Sequence, residues 1–306
     1  MQAKNMQAKN RQSYSLDQSP LYRLASRRKL AALLGINNAE LRRLAKSHND
    51  LYSEFDVPKK HGNGTRHVEN PSRPLKLVQA RVARLLARIR PPDYLYCPVK
   101  KRCYVTNAAQ HRNARVVHCL DIKKYYPNTP AKRVYWFFSS IMKCPSDVAG
   151  LLAAIATYRE HLPTGSPLSP ILAHFAFYDL WDEMGQLCKK DGALLTVYVD
   201  DVTMSGPALS GQLIWKVRQL IYRGGLRYHK EKHYIDHPAE ITGVIASNGG
   251  VRAPHRQFKK LHEARAALRA AQEAETAALL KSKIRGIEAQ LRQIVSVQRR
   301  LKEGAA

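Results

Sequence analysis

A chain of 306 residues with 51 Lys and Arg against 24 Asp and Glu carries a formal net charge of +27, a surface that repels itself unless a polyanion shares it. Nucleic acid is the polyanion this balance points to; an anionic membrane fits less well, because no Lys/Arg cluster adjoins an amphipathic or lipidated anchor. With 44% hydrophobic residues the chain is expected to fold, and no apolar run approaches the roughly 18 residues of a membrane span or follows the charged-then-apolar order of a leader. Cys97, Cys103, Cys119, Cys144 and Cys188 show no CxxC spacing and read as reduced thiols of a cytosolic protein, not as a disulfide frame or a zinc site.

The chain opens on a repeated pentapeptide, Met1–Asn5 and Met6–Asn10, read as a start-site duplication outside the fold. Apolar spacing is helical from Ser19 to about Asn49, with Asn37 or Asn38 capping the helix of Leu41 and Leu44. A loop of Lys, Gly and His follows over Lys59–Arg66. Pro74 opens an amphipathic helix with Leu77, Val78, Val82, Leu85, Leu86 and Ile89 on one side, and Pro91-Pro92 stops it. Ala114–Ile122 alternates as a strand. Helices are expected over Pro130–Met142 and Ser146–Arg159, then a turn at Pro163–Pro170 leading into one long helix through Met184 and Leu187. Leu194–Tyr198 and Val202–Ser205 read as a hairpin around Val199-Asp200-Asp201. A helix over Leu209–Tyr222 precedes short strands near Leu226–Tyr228, Tyr234–Asp236 and Ile241–Ala246. From His255 onward the pattern is helical, with Leu280, Ile284, Ile287, Leu291 and Ile294 as one apolar stripe.

Three carboxylates carry the chemistry. Asp121 ends a strand of the form hydrophobic-Asp-hydrophobic, followed by Tyr125-Tyr126-Pro127, and Asp200 and Asp201 share the hairpin tip. Adjacent acids at a tight turn repel each other unless a cation neutralises them. If the two strands lie side by side, Asp121 joins the pair and completes an oxygen site for two Mg²⁺ ions. Asp is a common turn residue, so the signal lies in the ordered set rather than in the Asp-Asp pair.

Tyr198–Asp201 resembles the YxDD box of reverse transcriptases, and Asp121–Pro127 resembles their first catalytic box. Between them, Leu162–Pro170 is similar to their LPQG-x-x-x-SP segment, with Thr164 in place of the commoner Gln. Two further segments narrow the likeness to the retron type of bacteria: Asn107-Ala108-Ala109-Gln110-His111 matches an NAxxH box, and Ile241-Thr242-Gly243 matches a VTG box with Ile for Val on a strand.

The resemblance implies an α+β, right-hand polymerase fold with fingers, palm and helical thumb: a tail over 1–18, fingers and palm over 19–252, and an RNA-binding thumb over 253–306. It implies catalysis by Asp121, Asp200 and Asp201, which hold two Mg²⁺ ions together with the backbone carbonyl of Ile122. Arg66 is matched to the arginine that holds the incoming triphosphate, with Lys59 and Lys60 as helpers, and Tyr126 to the aromatic gate beneath the sugar. Gly165 would let the backbone pass close to the nucleotide. Lys232 falls near the lysine that protonates leaving pyrophosphate, and Lys230 is the alternative. Asn107, His111, Thr242 and Gly243 are expected to recognise RNA through amide, imidazole, hydroxyl and close backbone contacts. The implied partners are a dedicated structured non-coding RNA, its DNA product, deoxynucleoside triphosphates and a separately encoded effector protein, in the bacterial cytoplasm, in defence against phage. Two other readings stand beside this one: another bacterial reverse transcriptase, of a non-retron defence or group II intron type, and an RNA-binding protein with a polymerase fold and no catalysis. An intron enzyme's maturase region is not expected within these 306 residues.

Overall fold

The computed structural model describes residues 13–58 and 64–303; the repeated pentapeptide, Lys59 and Lys60 lie outside the described residues. In chain order its elements are α1 (Arg27–Leu34), α2 (Asn38–Lys46), β1 (Tyr52–Pro58), β2 (Thr65–Pro71), α3 (Arg73–Leu86), β3 (Leu95–Cys97), α4 (Tyr104–Gln110), β4 (Val116–Ile122), α5 (Ala131–Trp136), α6 (Ser146–Ala156) and α7 (Ser169–Ala176). They continue as α8 (Tyr178–Lys190), β5 (Leu194–Tyr198), β6 (Asp201–Gly206), α9 (Gly211–Arg223), β7 (Tyr228–Ile235), β8 (Ala239–Ile241), β9 (Val244–Ser247), β10 (Gly250–Arg252), α10 (His255–Ala270) and α11 (Ala274–Glu303). The chain is thus mixed α and β, and its contacts divide it into two units whose sequences interleave. One comprises the described residues up to Pro92 with Lys124–Trp181; the other comprises Asp93–Lys123 and the described residues from Asp182 onward.

The first unit is helical apart from the β1–β2 hairpin. Asn37 is the residue that caps α2, its Oδ1 accepting the Glu40 N–H at 2.8 Å. Pro74 stands in the first turn of α3, whose buried side is Leu75, Val78, Val82 and Leu86; Leu77 turns outward at 63% exposure, against expectation. Of the loop expected over Lys59–Arg66, residues 59–63 lie outside the described residues; β1 pairs with β2 from Tyr52↔Pro71 to Pro58↔Thr65, which places Arg66 on a strand opposite Val57. The helix expected over Pro130–Met142 changes at Phe137 from α to a π-type turn through Ile141, and the adjacent Phe137 and Phe138 are both fully buried. Helix α6 stops at Ala156, where Thr157 turns extended and its hydroxyl donates back to the Ala153 carbonyl. The single helix expected after the proline-rich turn is two: Phe177 leaves helical geometry where its buried ring stacks on Tyr125.

The second unit is built on a five-stranded sheet, ordered β3-β5-β6-β4-β7 among the described residues, with β4 in antiparallel register against both β6 and β7. A smaller sheet, β10-β9-β8, packs with α4 and α11 around Val105, Ala108, Ile241, Val244, Ile294 and Val297. The two strands expected near Leu226 and Tyr234 are the ends of the single strand β7. The strand expected over Ile241–Ala246 is cut in two at Thr242-Gly243. The terminal helical region is likewise two helices, α10 and α11; the expected stripe on α11 holds, with Ile284 and Ile294 buried and Leu280, Ile287 and Leu291 half-buried. No helix among the described residues is long and apolar enough to cross a membrane.

Candidate active site

Strand pairing brings the three acidic residues to neighbouring backbone positions at one end of the sheet. Asp121, at the penultimate position of β4, is the direct partner of Asp201, the first residue of β6. Asp201 in turn pairs with Tyr198 across a two-residue turn made of Val199 and Asp200. That turn holds Val199 at φ +60, a conformation that a β-branched side chain resists, and it is stitched to β4 by the Ile122 N–H donating to the Asp200 carbonyl at 2.9 Å. The turn is therefore shorter than the three residues expected, because Asp201 already belongs to the strand.

The electrostatics are those of a site short of positive charge. Burial first, and then the charges of Asp200 and Asp121, push the Asp201 carboxyl up to about 7. Asp121 has basic neighbours from β7: Lys230, its register partner, places Nζ 3.1 Å from Oδ2, and the His229 ring places Nδ1 3.7 Å from Oδ1. Lys232 stands opposite Cys119, one pleat further from the hairpin turn. Of the two lysines left open by the sequence, Lys230 is the one in contact with a carboxylate. The oxygen donors suit a hard divalent cation, and the raised Asp201 shows the charge deficit that such an ion repairs. Among the described residues, however, no three His, Cys, Asp or Glu side chains are grouped so that they could hold a metal ion. The fit is one of donor chemistry and charge, with Lys230 holding one face of Asp121.

The NAxxH and ITG segments lie in the same unit, with Asn107 and His111 buried and Thr242 and Gly243 half-exposed. Asn107, on α4, is 1% exposed, and its Oδ1 has no hydrogen-bond partner among the described residues. His111, at the C-terminal cap of α4, is buried with Nδ1 2.6 Å from Ser205 Oγ and Nε2 2.8 Å from Thr196 Oγ1. Both ring nitrogens are occupied inside the protein. Thr242 and Gly243 form the turn between β8 and β9, with φ of +46 and +82, the signature of a hairpin turn that needs left-handed residues at both positions. Gly243 takes a φ of +82 that favours glycine, and beyond its chain neighbours no atom of the described residues lies within 4 Å of where its Cβ would sit. The Thr242 hydroxyl donates to the Tyr104 carbonyl at 3.0 Å, tying this turn to α4.

Arg66, Tyr126 and Gly165 belong to the first unit. Arg66 is exposed on β2, and the Tyr126 ring is half-buried with its centroid 6.0 Å from that of Tyr125. Gly165 has a steric cause within the protein itself. A Cβ there would meet the Glu69 carbonyl oxygen at 2.5 Å and the Asn70 Cα at 3.0 Å, so the glycine lets this turn lie against the backbone of β2. Thr164 completes the seam: its hydroxyl donates to the His67 carbonyl at 3.0 Å and accepts the Glu69 N–H at 3.1 Å.

Sequence reasoning missed Glu69 and His161, which clamp the same turn. Glu69 Oε1 lies 2.8 Å from His161 Nε2, and Oε2 accepts the Thr164 N–H at 3.1 Å. The hydrogen bond to Glu69 raises the His161 pKa; burial pushes Glu69 upward, but the bonds from His161 and Thr164 outweigh it and hold the carboxyl below its ordinary value. A raised histidine stabilises the fold fully below about pH 6.5, and that contribution is lost as pH rises through the folded pKa. His161→Gln should therefore lower Tm by roughly 2–4 °C near pH 6 and by much less at pH 9. An equal deficit at both pH values in thermal melts would show that the clamp is not an ion pair.

No family model matches the chain. Among characterised proteins it is 28% identical over 232 residues to the Retron Se72 reverse transcriptase of Salmonella heidelberg, covering 74% of this chain and 61% of that protein. It is 26% identical over 204 residues to the Retron Ec86 reverse transcriptase of Escherichia coli, covering 64% and 63% of the two chains. Identity to the Retron Mx65 reverse transcriptase of Myxococcus xanthus is 28% over 250 residues, covering 71% and 57%. The chain thus spans about three fifths of the length of these relatives. The carboxylate site and these alignments agree: the chain resembles bacterial retron-type reverse transcriptases.

Proposed function

We propose that this chain is an RNA-directed DNA polymerase of the retron type, which copies part of a structured non-coding RNA into a branched RNA–DNA molecule from deoxynucleoside triphosphates. The observation that carries this reading is the neighbouring placement of Asp121, Asp200 and Asp201 at the ends of β4 and the β5–β6 hairpin, with the Asp201 carboxyl pushed up by burial and then by the other two acids. In polymerase terms the five-stranded sheet serves as palm and α10 and α11 as thumb, with fingers and palm over 19–252 and thumb over 253–306.

Asp121, Asp200, Asp201 and the Ile122 carbonyl would hold the metal. Two Mg²⁺ ions, when bound, lower the pKa of the attacking hydroxyl and stabilise the departing pyrophosphate. Lys230, 3.1 Å from Asp121, would hold a proton for the leaving group, a role the resemblance gives to Lys232 with Lys230 as the alternative. The nucleotide-binding roles of Arg66, Tyr126 and Gly165 rest on the resemblance. So do the anti-phage role and the separately encoded effector protein. The charge of +27 supports a polyanionic partner.

Co-expression with RNA transcribed from the DNA flanking its gene tests the retron type. The expected product is DNA joined to RNA through a 2′,5′ branch, shortened by debranching enzyme after ribonuclease treatment. Linear DNA unaffected by debranching would point instead to a non-retron or group II intron type of reverse transcriptase.

A further inference from the structure

We propose that His111 is a positioning residue for the catalytic hairpin: a neutral imidazole bracket that fixes β5 and β6 beneath Tyr198 and Asp201. The proposal rests on the polymerase reading for its consequence in catalysis, and on the hydrogen bonds alone for the bracket itself.

Alternation along the strands sets out the geometry. Thr196 and Tyr198 share one face of β5, and Asp201, Thr203 and Ser205 share the same face of β6, because Tyr198 pairs with Asp201 and Thr196 with Thr203. The two hydroxyls that His111 engages therefore lie on the carboxylate face of the sheet, one on each strand of the hairpin. Both hydroxyl-bearing residues are 1% exposed and His111 is 2% exposed, so water does not replace either bond. A neutral imidazole has one N–H and one lone pair, so one hydroxyl accepts from the ring while the other donates to it. Burial holds the ring's pKa down at about 3, so it stays neutral at working pH.

A bracket needs a fixed support. His111 ends α4, which is packed by Val105, Ala108 and Ala109 into the apolar cluster shared with the small sheet and with Ile294 and Val297 of α11. The Thr242 hydroxyl bonds the first residue of the same helix at 3.0 Å. The two segments that mark the retron resemblance thus form a single packed body against the sheet, with His111 as its contact on the hairpin. The hairpin turn carries Val199 at φ +60, a conformation that persists only where its surroundings over-determine it. Two strands pinned from one ring supply such a constraint, and a shift of about 1 Å at the carboxylates is enough to cost roughly 100-fold in rate.

The test measures kcat and the deoxynucleotide KM on a generic DNA primer annealed to an RNA template, alongside the Kd for RNA transcribed from the flanking DNA. His111→Ala should lower kcat roughly 10- to 100-fold while leaving KM and the RNA Kd within about twofold. His111→Gln keeps one donor and one acceptor and should recover most of the rate. Thr196→Val, which removes one of the two partners, should lower kcat in the same direction. Weakened RNA binding with kcat intact would overturn the proposal in favour of an RNA contact. Equal loss in the Ala and Gln variants, with Thr196→Val silent, would overturn it in favour of simple packing. If the wild-type chain extends no primer, the polymerase reading fails, and the bracket is then judged by ¹⁵N spectra of the imidazole. A single neutral tautomer that does not titrate between pH 5 and 8 sustains it; a titrating ring contradicts it.

Discussion

Asp200→Asn and Asp201→Asn are each expected to lower DNA synthesis by roughly 10³-fold or more while leaving RNA binding intact, since phosphate contacts from Lys and Arg lie elsewhere on the chain. Asp201→Asn should have a second effect, opposite in sign, on stability. The wild-type carboxyl binds its proton more tightly when folded, at about 7 against 3.8 for the free side chain, so the fold loses stability as pH climbs through that interval. Asparagine carries no charge to repel Asp200 and Asp121. Without divalent cation, the variant should be more stable than wild type by on the order of 2 kcal/mol above pH 7, a gain that fades as pH falls toward 4. Added Mg²⁺ should raise the Tm of wild type and leave that of the variant nearly unchanged. Thermal melts at pH 5 and 8, with and without the ion, check all three statements. A variant less stable than wild type at pH 8 would show that the three carboxylates do not share a repulsive site.

Gly165→Val should be the most damaging single substitution in the first unit. Its Cβ would fall 2.5 Å from a backbone oxygen of β2, and backbone cannot swing aside as a long side chain does. Either the turn lifts off β2, breaking the Gly165 N–H bond to the Glu69 carbonyl at 3.1 Å and the Thr164 seam, or β2 itself shifts. Overpacking of this kind costs about 1–3 kcal/mol for a small group and more for a branched one. The expected result is a large drop in Tm and in soluble yield, with Gly165→Ala intermediate. A Gly165→Val protein that melts like wild type but fails to bind deoxynucleotide would return the glycine to the nucleotide role suggested by the resemblance.

What could be read beforehand, and what could not, divides along physical lines. The β4 strand and the β5–β6 hairpin were legible because short, nearly continuously buried β-rich runs adjoin acids, a pattern that few other local structures produce. The Asn37 cap and the Pro74 start were legible for the same reason: each is a local backbone requirement written in one residue. The β1–β2 hairpin was hidden because Glu54, Asp56, Arg66 and His67 leave it polar and largely exposed, with Phe55 and Val57 the one short alternation in it. Strand β7 was seen only at its ends, since Lys230, Glu231, Lys232 and His233 make its middle resemble a solvated loop. Ile241 and Val244 masked the Thr242-Gly243 turn by continuing an apolar run across it. The partners of His111 and Gly165 lie far off in sequence, Thr196 and Ser205 in one case and Glu69 in the other, and no local pattern announces them. Asp121 meets Lys230 only because of the β4–β7 register, which pairing decides and spacing does not.

The most direct measurement is incorporation of labelled deoxynucleotide by the purified chain on a DNA-primed RNA template. The proposed function requires primer extension with Mg²⁺, none with excess EDTA, and none from the protein carrying both Asp200→Asn and Asp201→Asn. Absence of extension by folded wild-type protein with either Mg²⁺ or Mn²⁺, or equal extension by wild type and the double variant, would contradict it.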